Sequence, residues 1–135
     1  MKQHLTGREK FELMQKATTH SGMFRAMGLR PMGFWTQTAE VSPAARADGL
    51  LWPAELVDLT WAPEERARVV AYLKAGKKMM AYCGTSTCRL CLNDNNGSQD
   101  FFDEVYVWPE GFAHYVEEHG VKPPQAFIDH VLRRK

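Results

Sequence analysis

An α+β fold is expected for this chain: a small antiparallel sheet with a zinc-knuckle-like CxxC turn, surrounded by about four helices. Three observations predict it. Apolar residues recur at helical spacing after Thr6, after Pro63 and near the C-terminus. Short extended runs, Gln99 to Phe102 and Val105 to Trp108, lie close together with turn residues between them. The spacing Cys88-x2-Cys91 followed by His114-x4-His119 then places a turn, a hairpin and a helix in the order that can gather sulfur and nitrogen donors around one metal ion.

Thr6-x-x-Glu9 is a capping-box signature, and Phe11, Met14 and Thr18 follow on one face with Leu13 and Ala17 beside them. This helix should weaken around His20-Ser21-Gly22, with Met23, Phe24 and Met27 forming a further apolar turn before Gly28. Residues 28–60 are punctuated by Gly28, Pro31, Gly33, Pro43, Gly49 and Pro53. Within them Phe34 to Thr38 reads as a short strand, and Ser42-Pro43 as the cap of a short helix through Arg46. The stretch is expected to wrap the core, pinned by buried Trp35, Trp52 and Trp61.

Pro63 suits the first position of a helix whose opening turn carries Glu64 and Glu65, where the helix dipole favours negative charge. Ala67, Val70 and Leu73 make its apolar stripe, flanked by Val69 and Tyr72, and Gly76 reads as its C-terminal cap. Met79 to Cys83 is expected to be a strand that delivers the chain to the cysteines. Asn93 to Gly97 is turn chemistry, because asparagine and glycine tolerate positive φ. Asp103-Glu104 reads as a second turn. Val105 to Trp108 alternates between two faces, Pro109 ends that strand and starts a helix with Glu110 in its first turn, and Val121 to Pro124 breaks that helix. A last helix reaches about Arg133 with Phe127, Ile128, Val131 and Leu132 inward.

A chain of 135 residues with 44% hydrophobic and 11% aromatic residues is long enough to bury a core as one domain, 1–135, without covalent staples. Seventeen basic against sixteen acidic residues give a charge of +1, which is no polyelectrolyte footprint and offers little support for nucleic acid as partner. Three cysteines, all between residues 83 and 91, are too few and too odd in number for a disulfide framework. They suit a metal in a reducing compartment. Met1-Lys2-Gln3-His4 lacks the apolar core of a signal peptide, and no apolar run approaches a membrane span, so a cytoplasmic protein with no membrane partner is expected.

The metal reading assigns Cys88, Cys91, His114 and His119 as ligands of a structural zinc ion. Thiolate and imidazole are the donors zinc prefers, and four of them close the site. On an ideal helix, residues five apart lie roughly 140° apart, so His114 and His119 converge only where the last turn tightens or opens, which Gly120 permits. Cys83-x4-Cys88-x2-Cys91 with one histidine is an alternative set. His119 is preferred because it shares the inward face of Phe112, Tyr115 and Val116, which leaves Cys83 as a buried strand thiol. The bland alternative is that small cysteines and a hydrogen-bonded histidine simply fill the core.

Cys88-Arg89-Leu90-Cys91, then Asn96-Gly97-Ser98, then Trp108-Pro109-Glu110-Gly111-Phe112-Ala113-His114-Tyr115-Val116 with His119, resembles a segment of small uncharacterised bacterial proteins sharing a CRxC…NGS…WPEGxxHYxxxxH pattern. The similarity spans about residues 72–132. This chain departs from it at Leu92, where a glycine is expected after the second cysteine. The resemblance implies a shared fold and carries no activity.

The function expected on these grounds is a small, non-catalytic, zinc-stabilised protein-interaction domain, an adaptor, a regulator or a toxin-neutralising immunity protein, with another protein as its partner. The alternative is a nucleic-acid-binding finger-like regulator. Against it, the Glu110 to Glu118 helix carries three glutamates and no lysine or arginine for bases or phosphates. A second alternative is a cysteine-dependent enzyme using Cys83 in the Cys83-Gly84-Thr85-Ser86 loop with a histidine base. No oriented triad, GxGxxG or GxxxxGK[ST] pattern accompanies it, so no catalytic residue is assigned.

Overall fold

The computed structural model describes residues 20–81 and 84–133. The elements along them are α1 (His20–Ala26), β1 (Arg30–Pro31), α2 (Pro43–Ala47), a 3-10 turn (Pro53–Leu56), α3 (Pro63–Lys74), β2 (Lys77–Ala81), β3 (Gln99–Phe102), β4 (Tyr106–Pro109), α4 (Phe112–His119) and α5 (Gln125–Arg133). The α+β class is as expected. The capping box at Thr6 and the helix it should open lie outside the described residues.

The sheet is mixed rather than purely antiparallel. Its strand order is β1-β4-β3-β2, with β2–β3 and β3–β4 antiparallel and β1 parallel to β4. The parallel edge is held by Arg30 N–H to Val105 O at 2.9 Å and Met32 N–H to Val107 O at 3.0 Å. A two-residue strand has no period to detect, so the first strand was expected four residues too late. Phe34 to Thr38 forms no strand; Trp35 makes an isolated bridge to Leu51. His20-Ser21-Gly22, expected as a weak point, lies inside α1.

Both faces of the sheet are covered. On β4, Tyr106 and Trp108 face a large cluster under α3, α4 and α5 that includes Leu73, Phe101, Phe112, Val116 and Phe127. Val107 faces the other way, onto Phe24 and Leu29 beside α1. The alternation seen in the sequence is thus real, with each face finding its own apolar cover. Trp108 is fully buried, and its Nε1–H donates to Leu73 O at 3.1 Å, so its one polar atom is satisfied. Burying a side chain of that size stabilises the fold by on the order of 4 kcal/mol before ordering costs.

Local chemistry explains some element ends and not others. Ser42 Oγ accepts from Ala45 N–H at 3.1 Å and caps α2 as expected. Gly76 does not cap α3 through a left-handed turn. Its Cα instead lies under Trp108, where a Cβ would come within 2.6 Å of the indole ring. Trp61 is buried, whereas Trp35 and Trp52 are only partly so. Glu110 does not sit in the first turn of α4. Its carboxylate accepts from Ser98 N–H at 2.9 Å and Gln99 Nε2 at 3.4 Å and fastens the turn segment to the strand end.

A second polar tie joins α3, the β3–β4 turn and α5. Asp103 Oδ1 accepts from Val105 N–H at 3.0 Å and Tyr106 N–H at 2.7 Å. Its Oδ2 accepts from Tyr72 Oη–H and from His130 Nε2 at 2.7 Å. Burial opposes the charge on Asp103, but the hydrogen bonds from Tyr72, the Tyr106 amide, His130 and the Val105 amide outweigh it and hold the carboxyl below its ordinary value. A carboxyl depressed by folding stabilises the fold above its unfolded pKa, and that contribution is lost as pH falls through the folded one. Asp103→Asn is therefore expected to cost about 1–3 kcal/mol at pH 7. It should also flatten the stability-against-pH curve below about pH 4, read by urea denaturation. A variant with the parent's acid limb would show that this carboxylate contributes nothing there.

Candidate metal centre

Cys88 and Cys91 are held in a tight hairpin turn. Cys88 N–H donates to Asn93 O at 2.9 Å and Leu92 N–H returns to Cys88 O at 2.9 Å. One step further out, Ser86 N–H donates to Gly97 O at 2.8 Å and Asn96 N–H to Ser86 O at 2.9 Å. Leu90 N–H points at Cys88 Sγ, 3.4 Å away. Leu92, standing where glycine was expected, adopts φ 61° and is 72% exposed. The turn therefore keeps the left-handed geometry that glycine takes freely, and a leucine bears its strain, roughly 1–2 kcal/mol.

The histidines come from α4. Gly120, at φ 68°, ends the helix, and its N–H donates to Tyr115 O, five residues back rather than four. Val121 N–H reaches the same oxygen at 3.2 Å. The last turn thus opens, and His119 swings toward His114, with ring centroids 5.1 Å apart. This is the adjustment that the five-residue spacing required.

The two pieces meet. Cys88 Sγ lies 3.5 Å from His119 Nε2 and Cys91 Sγ 3.3 Å from His114 Nε2. One donor atom from each of the four residues lies within 4.8 Å of the other three, so the group could hold a metal ion. Cys88 is buried, the histidines are partly so, and Cys91 is exposed at the rim. Burial, with His114 nearby, pushes His119 below its ordinary imidazole value, although Glu118 acts the other way. The neutral ring is the form that donates a lone pair to a metal. Cys83, the alternative ligand, lies outside the described residues.

Tyr115 and Arg89 are the neighbours that spacing did not single out. Tyr115 Oη accepts from Arg89 N–H at 2.7 Å and contacts Cys88, and burial is the main cause that pushes its hydroxyl up to about 12. It ties the helix to the turn on the same side as Cys88. The sequence signal was its place between the two histidines, on the face shared with His119. Trp35 packs edge-on against Tyr115 and Phe112, with centroids at 5.4 and 5.8 Å, and braces this arrangement from residues 28–60.

The described residues include no helix long and apolar enough to cross a membrane. No family model, curated protein or solved structure matches the chain.

Proposed function

We propose that the chain is a zinc-stabilised protein-interaction domain of adaptor, regulator or toxin-neutralising immunity type, in which the metal is structural. The observation that carries this is the convergence of two sulfurs and two imidazole nitrogens from separate segments. Zinc–sulfur bonds of 2.3 Å and zinc–nitrogen bonds of 2.0–2.1 Å make the sulfur–nitrogen edge of a tetrahedron about 3.5 Å. Two sulfur–nitrogen pairs lie at 3.5 and 3.3 Å, and all four donor atoms lie within 4.8 Å of one another. Two separate thiol–imidazole hydrogen bonds would account for each pair but give no reason for all four atoms to gather. Four protein ligands leave no position for water, which argues for a structural rather than a hydrolytic role.

The interaction half of the reading draws support from Leu92. This exposed leucine bears backbone strain at its positive φ, and such strain concentrates where a surface has work to do. Recognition of nucleic acid draws less support, because α4 (Phe112–His119) carries Glu117 and Glu118 and no lysine or arginine.

The test has two parts. Elemental analysis of purified protein should find about one zinc per chain. Leu92→Gly should raise stability by about 1 kcal/mol in urea melts while weakening capture of a partner from the native host. Capture that recovers nucleic acid, or a variant that captures as well as the parent, would turn the reading away from a protein contact at this turn.

A further inference from the structure

A cavity of about 430 Å³ opens beside the turn and shares Arg89 and Tyr115 with the metal centre. Phe34, Trp35 and Tyr115 give it an aromatic wall, while Asp48, Asp100 and Glu110 supply carboxylates. Arg89 is the one cation among its described lining residues, and its guanidinium bonds backbone carbonyls. Its Nε donates to Thr36 O at 3.4 Å and its Nη1 to Thr87 O at 2.6 Å. Those carbonyls do not neutralise Arg89, and Arg25 pairs with Asp48, so three carboxylates against two cations leave a small negative balance beside aromatic faces, a combination that favours a cation.

Among the described residues, two buried atoms of lining side chains have no hydrogen-bond partner. Asp48 Oδ1 takes Arg25 Nη1 at 2.8 Å, but Asp48 Oδ2 takes nothing, and neither does Trp35 Nε1–H. Side chains that give up water without gaining a protein partner are rare in folded proteins, and here an acceptor and a donor belong to side chains that line the same cavity. Both atoms are covered, so a ligand reaches them by a small displacement of the wall that is offset by the partners it brings.

We propose that the cavity binds a small organic cation that also carries an oxygen acceptor, of the class of a basic amino acid. Its N–H groups face Asp48 with the aromatic wall alongside, and its acceptor takes the Trp35 indole N–H. The reading goes beyond the protein-contact role and does not depend on it.

The experiment is an NMR titration of the full metal-loaded chain, following the tryptophan indole N–H signals with L-arginine, agmatine and L-glutamate. Trp35→Phe assigns the signal. Arginine should move the Trp35 signal downfield and saturably, glutamate should not, and agmatine, lacking the carboxylate, should bind more weakly. Asp48→Asn, which keeps the shape, should weaken arginine binding about tenfold or more, a loss expected for a hydrogen bond to a charged group. Trp35→Phe should weaken it as well, read on a neighbouring amide. No saturable shift with arginine, an equal shift with glutamate, or unchanged affinity in Asp48→Asn overturns the proposal. Agmatine binding as tightly as arginine overturns its acceptor half. Thermal melts of both variants confirm that a lost signal reflects lost binding and not lost fold.

Discussion

Cys88→Ser and Cys91→Ser are each expected to strip the metal and lower the melting temperature by more than about 15 °C. Binding of a structural zinc ion contributes on the order of 10 kcal/mol to folding, comparable with the whole net stability of a domain. Losing even several kcal/mol moves a melt by many degrees at this size. The comparison between the two variants is what makes the test sharp. Cys88 is fully buried, so its replacement by a polar hydroxyl would destabilise the core whether or not a metal is present. Cys91 is exposed, and a serine there should cost less than about 0.5 kcal/mol if its sulfur has no ligand role. Loss of metal in both variants, with a large fall in melting temperature in Cys91→Ser as well as in Cys88→Ser, identifies a shared ion. A parent protein without metal, whose melt ignores chelator, together with a silent Cys91→Ser, would leave only a thiol–imidazole cluster.

Gly111→Ala is expected to cost about 3 kcal/mol or more, among the largest effects available to a single methyl group. Gly111 precedes α4, and its φ of −73° suits any residue, so backbone freedom is not the reason. The reason is space: a Cβ there would lie 2.2 Å from the Asn96 backbone oxygen and 2.6 Å from Asn96 Cγ. Asn96 is buried and hydrogen-bonded to Ser86, so it cannot retreat cheaply. Asn96 belongs to the hairpin that carries the cysteines and Gly111 opens the helix that carries the histidines. The same methyl group should therefore loosen metal binding, which a competition titration with a chromogenic chelator would read. A variant within about 0.5 kcal/mol of the parent in urea would mean that the two segments have more room than their separation shows.

The parts of this fold legible in the sequence were those with a period or a stereochemical marker. Pro63 and the two following glutamates located the start of α3, Ser42-Pro43 located α2, and the alternation through Trp108 located β4 with both of its faces. The four metal-ligand candidates were legible because cysteine and histidine are scarce and their order along the chain is restrictive. What was illegible depended on space rather than on pattern. Arg30–Pro31 is too short to show alternation, and its parallel partner lies far along the chain. Gly76 was read for its backbone, although its use is to admit the Trp108 ring. Glu110 was read by its distance from a helix, although its carboxylate turns back to Ser98. The cavity draws its walls from five stretches of chain, and no local window contains it.

The parallel edge strand has a consequence for how the protein is made. Arg30–Pro31 can complete its ladder only with Tyr106–Val107, which leave the ribosome long afterwards. Until then the nascent chain carries Phe24 and Leu29 without the Val107 side chain that covers them. The sheet therefore closes late, at about the time that the helix bearing the imidazoles emerges. Translation speed over the final third of the message should therefore bear on how much of the product folds and how much is lost to aggregation.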